Sequence, residues 1–169
     1  MNRRPIHFVS RELEWELIQR LLTIVDNSKF DSKTAVVMAG PDYSGTVAMH
    51  LAHAWSVNGE TLPIIPIDVT YPDETADYYI EKMEGNIKDF LKYKHLIITE
   101  SCVIRGGNWK WIIELLSKYG YDRSNLTLVT LVENIHSKVK SDYVGKYYDD
   151  EKEENMFYYE RFNKHWEIR

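Results

Sequence analysis

The sequence predicts an α/β fold with a mainly parallel, twisted sheet covered by helices on both faces. Short apolar runs that suit buried strands alternate with segments of helical period, which is the order typical of βα units. The strand-like runs are continuous rather than alternating, as expected when both faces of a sheet are covered. With 169 residues, 44% of them hydrophobic, the chain can bury one core of ordinary size. We therefore expect a single domain over residues 1–169.

Each element is assigned from its own pattern. Continuous apolar or β-branched runs predict strands at 34–39, 62–69, 95–99, 125–132 and 156–159. Apolar residues at helical spacing predict helices at 13–25, 46–57 and 109–119, the first with Leu13, Leu17, Leu21 and Ile24 inward and the second with Val47, Leu51, Ala54 and Trp55 inward. Gly120 stands where a left-handed C-terminal cap of the third helix belongs. Ligands are expected at the loops that follow the carboxyl ends of the strands.

Charge and cysteine content argue against several classes of protein. The net charge is −5, and the 21 basic residues are scattered, which argues against a nucleic-acid partner. No apolar run approaches the roughly 18 to 20 residues that span a bilayer, so no membrane association is expected and the cytoplasm is the predicted location. The lone Cys102 has no second thiol for a disulfide or a structural zinc site.

The most informative segment runs from His95 to Asn108. Apolar and threonine residues end in an acid, Glu100, and the following loop closes with Gly106 and Gly107 at the start of a helix. This pattern places a carboxylate at a strand tip beside bare backbone amides, which suits a sugar phosphate gripped through its hydroxyls and its phosphate. An ordinary βα turn that uses glycine for tight geometry would give the same pattern.

That segment resembles the ribose-phosphate loop of type I phosphoribosyltransferases, in which two adjacent acids precede a Thr/Gly-rich turn. Glu100 matches the first acid, and Ser101 stands where the second falls. The phosphate-binding turn would comprise Val103, Ile104, Arg105, Gly106, Gly107 and Asn108. Arg105 and Asn108 replace the family's threonines. The resemblance implies a fold of this family, including a small C-terminal hood region, and gives Glu100 the catalytic role of orienting the ribose.

A second segment, from Val36 to Ala48, resembles the strand, loop and helix that hold pyrophosphate in this family, especially in its orotate-type members. The resemblance implies that backbone groups of Asp42, Tyr43, Ser44 and Gly45 contact the leaving pyrophosphate. Ser44 stands where the orotate-type loop has a lysine. A glycine-bearing βα turn with a favourable helix start explains the same residues without a ligand.

The third segment, residues 131–145 with 156–160, is similar to the C-terminal part of purine-type members, particularly the xanthine-guanine branch. The resemblance suggests base contacts by Tyr143, Phe157 and Tyr158, although each of these could equally be a core aromatic. Asn134 matches the lysine that reads the 6-oxo group of the purine, and its amide could recognise a base without that charge.

The resemblance implies a Mg²⁺-dependent transferase of purine salvage that moves the phosphoribosyl group of phosphoribosyl pyrophosphate to a purine or related base. Glu100 would approach the metal through ribose or water. Residues 71–86 stand where the family's mobile hood falls, but they are acidic, and a surface helix over 75–83 is the alternative that the sequence favours. The ligand would be phosphoribosyl pyrophosphate or a nucleoside monophosphate, and a homo-oligomer would be common for the family. The alternative is a catalytically degenerate nucleotide-sensing or protein-interaction module that retains the phosphate-binding loop, which Ser101, Ser44 and Asn134 favour.

Overall fold

A computed structural model describes residues 6–39, 41–67, 88–152 and 154–157. Seven strands and three helices of more than one turn lie in this part of the chain, with a 3₁₀ turn at Arg123–Asn125. The strands are β1 Ile6–Val9, β2 Thr34–Ala39, β3 Ile64–Ile67, β4 His95–Val103, β5 Leu126–Asn134, β6 Tyr143–Tyr148 and β7 Glu154–Phe157; the helices are α1 Arg11–Ile24, α2 Pro41–Ala54 and α3 Gly107–Lys118.

The main sheet has five parallel strands in the order β3-β2-β4-β5-β6, which confirms the predicted parallel α/β architecture. A second, two-stranded parallel sheet pairs β1 with β7. The C-terminal strand β7 therefore pairs with a strand from the beginning of the described residues. The chain passes from β3 across β2 to reach β4. The β2–β4 boundary is therefore the switch point at which sheets of this kind bind ligands.

The sheet separates two apolar cores. On one face, α1 and α2 bury Leu17, Leu21 and Leu51 against β2, β4 and β5. On the other face, Trp109 and Leu116 of α3 pack against the alternate residues of the same strands. Alternation within β2 shows the division, since Val36 belongs to the first core and its neighbours belong to the second.

Helix positions agree with the predictions better than helix boundaries do. Helix α2 begins at Pro41, five residues earlier than predicted, because proline is well suited to the first position of a helix. The inward assignments of Ile24 and Ala54 are wrong, since both are exposed, and Glu14 and Ile18 are buried in α1 instead. At the end of α3, Gly120 has φ 87° and donates to Ser117, with Tyr121 donating to Leu116, which confirms the predicted cap.

Strand assignments needed more correction. Strand β4 continues to Val103, four residues past its predicted end, so Glu100 and Ser101 lie inside a strand rather than in a loop. Strands β1 and β6 were not predicted at all. The last strand is Glu154–Phe157 in the described residues, whereas 156–159 was predicted. Among the described residues, no helix is both long and apolar enough to cross a membrane.

The pairing of β4, β5 and β6 is interrupted along one row. Glu100 pairs with Thr130 and Cys102 with Val132, but the intervening Ser101 and Leu131 do not appear in the described register. Pairing between Leu131 and Gly145 is skipped in the same way. Side-chain alternation shifts there by one position: Ile98 packs in the α3-side core, but Cys102, an even number of residues later, packs against the opposite core.

The absence of a side chain at Gly145 allows the interrupted pairing between β5 and β6, and a substitution there tests this account. A Cβ atom at Gly145 would lie 2.7 Å from the Leu131 carbonyl oxygen and 3.2 Å from the Leu17 Cβ. We expect Gly145→Ala to lower the free energy of unfolding by about 1–3 kcal/mol, the usual cost of overpacking, in chemical denaturation. Gly107→Ala is the control, because its added methyl meets nothing within 4 Å. Equal stability of Gly145→Ala and the unchanged protein would contradict this account.

Candidate functional site

A cavity of about 450 Å³ opens at the carboxyl end of β4, beside the β2–β4 switch point. The described residues that line it come from the end of the strand and the start of the next helix: Glu100, Cys102, Val103, Ile104, Arg105, Gly106, Gly107 and Asn108. All but Cys102 were predicted as site residues from the sequence, and Ser101, the remaining member of that group, is buried in β4 with 4% of its surface exposed. The structure therefore brings the first predicted motif together around one cavity.

The start of α3 faces this cavity without a capping side chain. Gly106, the N-cap residue, has φ 76° and ψ 14°, and the first turn contains no acidic residue. The first hydrogen bond at this end of the helix runs from the Lys110 amide to the Gly106 carbonyl at 3.1 Å. The amides of residues 107–109 precede it and have no acceptor within the helix. Such an end carries partial positive charge and suits an anion.

The β4–α3 turn (residues 104–106) is held against the β5–β6 loop (residues 135–142). The Lys138 amide donates to the Arg105 carbonyl at 3.2 Å. A Cβ atom on Gly106 would lie 2.6 Å from the Val139 carbonyl oxygen and 2.7 Å from the Ser137 Oγ. Both the left-handed backbone and this close approach therefore require glycine at position 106.

Glu100 lies on the wall of the cavity with 8% of its surface exposed. Burial raises the pKa of its carboxyl group to about 8, against a hydrogen bond from Asn108 Nδ2 to Oε1 at 3.1 Å that lowers the pKa. At neutral pH the group is therefore largely protonated and can donate a hydrogen bond. It becomes a carboxylate when the pH rises or when a cation arrives.

The residues predicted to contact pyrophosphate, Asp42, Tyr43, Ser44 and Gly45, lie in the first turns of α2, directly after β2. They are helical rather than part of an open loop. An amide at the start of a helix can still bind a phosphate, so their predicted role stays a prediction. Residues 71–86, predicted as the hood, fall outside the described residues.

The predicted base contacts do not gather at one point. Asn134 ends β5 at the same sheet edge as the cavity, but only 1% of it is exposed and its Oδ1 accepts the His136 amide at 3.0 Å. Tyr143 begins β6 and lies with His95 and Leu126 at the opposite edge, which removes it from the contacts available at this cavity. The backbone of Phe157 lies in β7, and Tyr158 is outside the described residues.

A further group of polar side chains lies at the carboxyl ends of β5 and β6. His136, Asp149 and Asp150 place potential metal ligands within 4.8 Å of one another. His136 Nε2 lies 3.2 Å from Asp149 Oδ1, and Lys152 Nζ lies 2.7 Å from Asp149 Oδ2. The hydrogen bond from the Lys152 ammonium group, and to a smaller extent the one from His136, hold the pKa of the Asp149 carboxyl group below its usual value.

Sequence reasoning missed that the β5–β6 loop supports the β4–α3 turn and the start of α3. The motif over residues 131–145 predicted base contacts, whereas Ser137, Val139 and Ser141 contact residues some thirty positions earlier. Glu133 was also missed, although an acid inside the apolar run of β5 is unusual enough to have been a signal.

Comparison with known proteins places the fold. No protein-family model and no curated protein matches the sequence. Among solved structures, a purine phosphoribosyltransferase from Pyrococcus horikoshii OT3 has a TM-score of 0.63 at 14% identity, covering 90% of this chain and 91% of its own. Helicobacter pylori xanthine-guanine-hypoxanthine phosphoribosyltransferase has a TM-score of 0.63 at 13% identity and 94% coverage of both chains. A hypothetical protein from Neisseria gonorrhoeae with bound ppGpp has a TM-score of 0.63 at 14% identity, covering 93% of this chain and 90% of its own.

The sheet and the cavity define a parallel α/β protein with a cavity at the switch point of its sheet. More particularly, this chain has the type I phosphoribosyltransferase fold, as the sequence motifs predicted, and its sequence has diverged widely from those of its structural neighbours.

The buried Glu100 makes stability depend on pH. The pKa of Glu100 is about 8 in the folded protein, whereas the ordinary value of a glutamate, as in the unfolded chain, is 4.5. The folded state therefore binds the proton more tightly. Its contribution to stability is complete below pH 4.5 and is lost as pH rises towards 8, by on the order of 3 kcal/mol between pH 5 and 8.

We expect Glu100→Gln to remove this dependence. The free energy of unfolding of the unchanged protein, minus that of the variant, should fall from pH 5 to 8 and level off above pH 8. Denaturant titrations at several pH values measure the difference. Glu114→Gln serves as the control, since that side chain is 60% exposed on α3. Parallel curves for all three proteins would disprove the raised pKa.

Proposed function

We propose that the cavity binds the ribose and 5-phosphate of phosphoribosyl pyrophosphate and that the protein transfers the phosphoribosyl group to a purine or a related base. The observation that carries this proposal is the uncapped start of α3, which follows Gly106 and lies beside the carboxyl group of Glu100. Amides and an acid at that spacing offer partners for both ends of a sugar phosphate.

The phosphate would be bound by the backbone of the β4–α3 turn and of residues 107–109. The side chains of Ile104 and Arg105 are exposed at the cavity, so the proposed phosphate contacts rest on the backbone of the turn. Backbone amides do not depend on the threonines that the family uses. The Arg105 guanidinium, in the same turn, adds a positive charge near the anion.

In the reaction, a nitrogen of the base attacks C1 of the ribose while the bond from C1 to the diphosphate oxygen breaks. The diphosphate leaves with the bonding electrons, and the N–H proton of the base passes to the departing diphosphate or to water. Positive charge builds on the ribose in the transition state. Glu100 would hydrogen-bond the ribose hydroxyls and, once ionised, would offset that charge. Activity should therefore rise with pH towards about 8, the pKa of this group.

The cavity fits a magnesium ion carried mainly by the substrate. Among the described residues that line it, Glu100 is the single carboxylic acid, whereas Mg²⁺ commonly uses one or two carboxylates together with phosphate oxygens and water. Glu100, directly or through water, would be the protein's ligand. When bound, the ion would neutralise the leaving diphosphate. The first-turn amides of α2, from Asp42 to Gly45, would contact the same diphosphate, and Asn134, Phe157 and Tyr158 would contact the base.

Ligand binding and turnover test this proposal separately. Phosphoribosyl pyrophosphate with Mg²⁺ should raise the melting temperature, because a ligand that binds only the folded state stabilises it. Incubation with a panel of purine bases should then release diphosphate. No shift at millimolar ligand would exclude the proposed site.

The role of Glu100 has its own test. Glu100→Ala should abolish diphosphate release and change the Kd for phosphoribosyl pyrophosphate less than about tenfold, since the phosphate amides remain. Calorimetry and a diphosphate assay give the two values. Glu114→Ala is the matched control and should alter neither. Unchanged turnover in Glu100→Ala would show that the acid has another role.

A second candidate is a nucleotide-binding regulatory protein without turnover. Two observations favour it: Ser101 is buried and uncharged where an acid would be needed, and Glu100 is largely protonated at neutral pH. The Neisseria gonorrhoeae structure with bound ppGpp adds a structural neighbour of the same fold. Stabilisation by ppGpp or a purine nucleoside monophosphate, with no diphosphate released from any base, would favour this function over transfer.

A further inference from the structure

We propose that Glu133 is a positioning residue for the candidate phosphate site: acting through the β5–β6 loop, it holds the β4–α3 turn and the start of α3 in their binding conformation. This inference rests on the proposed function, because the property that Glu133 controls is the affinity of the site for phosphate. It adds a buried acid that does not touch the ligand.

Glu133 holds the C-terminal end of the β5–β6 loop, at Ser141, through a hydrogen bond. It lies next to the end of β5, paired with Val103 and Tyr147, and none of its surface is exposed. Its Oε2 accepts the Ser141 amide at 2.8 Å. Its Oε1 lies 3.4 Å from Lys140 Nζ, a charge contact without hydrogen-bond geometry. The end of the loop that follows β5 therefore contacts β5 again, through Glu133.

Lys140 contacts the N-terminal end of the same loop, where the loop leaves β5. Its ammonium group donates to the Asn134 carbonyl at 3.1 Å and to the Ile135 carbonyl at 2.9 Å. Both carbonyls lie within two residues of Glu133. Together, the acid and the lysine close residues 135–141 into a compact loop whose ends are held by one ion pair.

Two contacts transmit this position to the candidate site. Ser141 Oγ accepts the indole N–H of Trp109 at 2.9 Å, and Trp109 is the third residue of α3, fully buried in the core. The Lys138 amide donates to the Arg105 carbonyl, and Val139 lies where Gly106 has no side chain. The loop therefore contacts the helix start from one side and the turn from the other.

The chemistry of position 133 suits this role better than simple packing. Burying a carboxylate costs free energy, and a well-packed apolar residue is often at least as stabilising. An apolar side chain would, however, leave the Ser141 amide without its acceptor and would release Ser141 from its place beside Trp109. The carboxylate of Glu133 therefore fixes the position of the β5–β6 loop.

The test compares Glu133→Ala and Glu133→Gln with a control outside the β5–β6 loop, Asp31→Ala. Asp31 lies just before β2, where its Oδ1 accepts the Lys33 amide at 2.8 Å and the Thr34 hydroxyl at 3.3 Å. Calorimetry with inorganic phosphate and with phosphoribosyl pyrophosphate is run at a temperature where circular dichroism shows each variant folded. Hydrogen exchange of peptides covering residues 104–111 is followed without ligand.

Glu133→Ala should weaken both ligands about tenfold or more and speed exchange in residues 104–111. Glu133→Gln should recover most of the affinity, since its amide oxygen can accept the Ser141 amide. Asp31→Ala should lower the melting temperature and leave affinity and exchange at 104–111 unchanged. Equal affinity of Glu133→Ala and the unchanged protein would overturn the inference while leaving the proposed function intact. Failure of the unchanged protein to bind either ligand would remove both.

Discussion

The close contact between Gly106 and the β5–β6 loop is the constraint on which the rest of the site depends. It fixes a left-handed turn, and that turn aims the first amides of α3 at the cavity instead of capping them. A side chain at position 106 would collide with backbone atoms of Val139, which cannot rotate away as a side chain could. The proposed anion site therefore depends on two backbones packed together rather than on the side chains around it.

The second constraint is the burial of Glu100. An acid inside a strand, walled by α3, keeps its proton under conditions where an exposed glutamate would lose it. The site thus has two electrostatic states, a neutral one with a hydrogen-bond donor and an anionic one able to face a cation. The protonation state of Glu100 depends on what enters the cavity. A cation would favour the ionised carboxylate, and an additional anion would favour the protonated acid.

Sequence patterns predicted the α/β class, the parallel sheet and the composition of the first motif because these depend on local periodicity and turn chemistry. Strand β6 was missed because Tyr143–Tyr148 is half exposed, contains Gly145 and lacks a continuous apolar run. The extension of β4 to Val103 was missed because a polar Glu-Ser pair inside a strand breaks the expected apolar pattern. The opposite placement of Tyr143 was missed together with β6, because only the strand shows that Tyr143 is its first residue and therefore lies at the amino ends of the parallel sheet.

The pairing of β1 with β7 has a consequence for how the chain folds. Ile6 pairs with Glu154, so this small sheet joins segments separated by most of the polypeptide. A contact of such long range carries a large loop-closure entropy and forms slowly unless other structure first brings the segments together. During synthesis, β1 must wait until β7 has left the ribosome. The five-stranded sheet, with its shorter connections, can assemble first and bring β1 and β7 together.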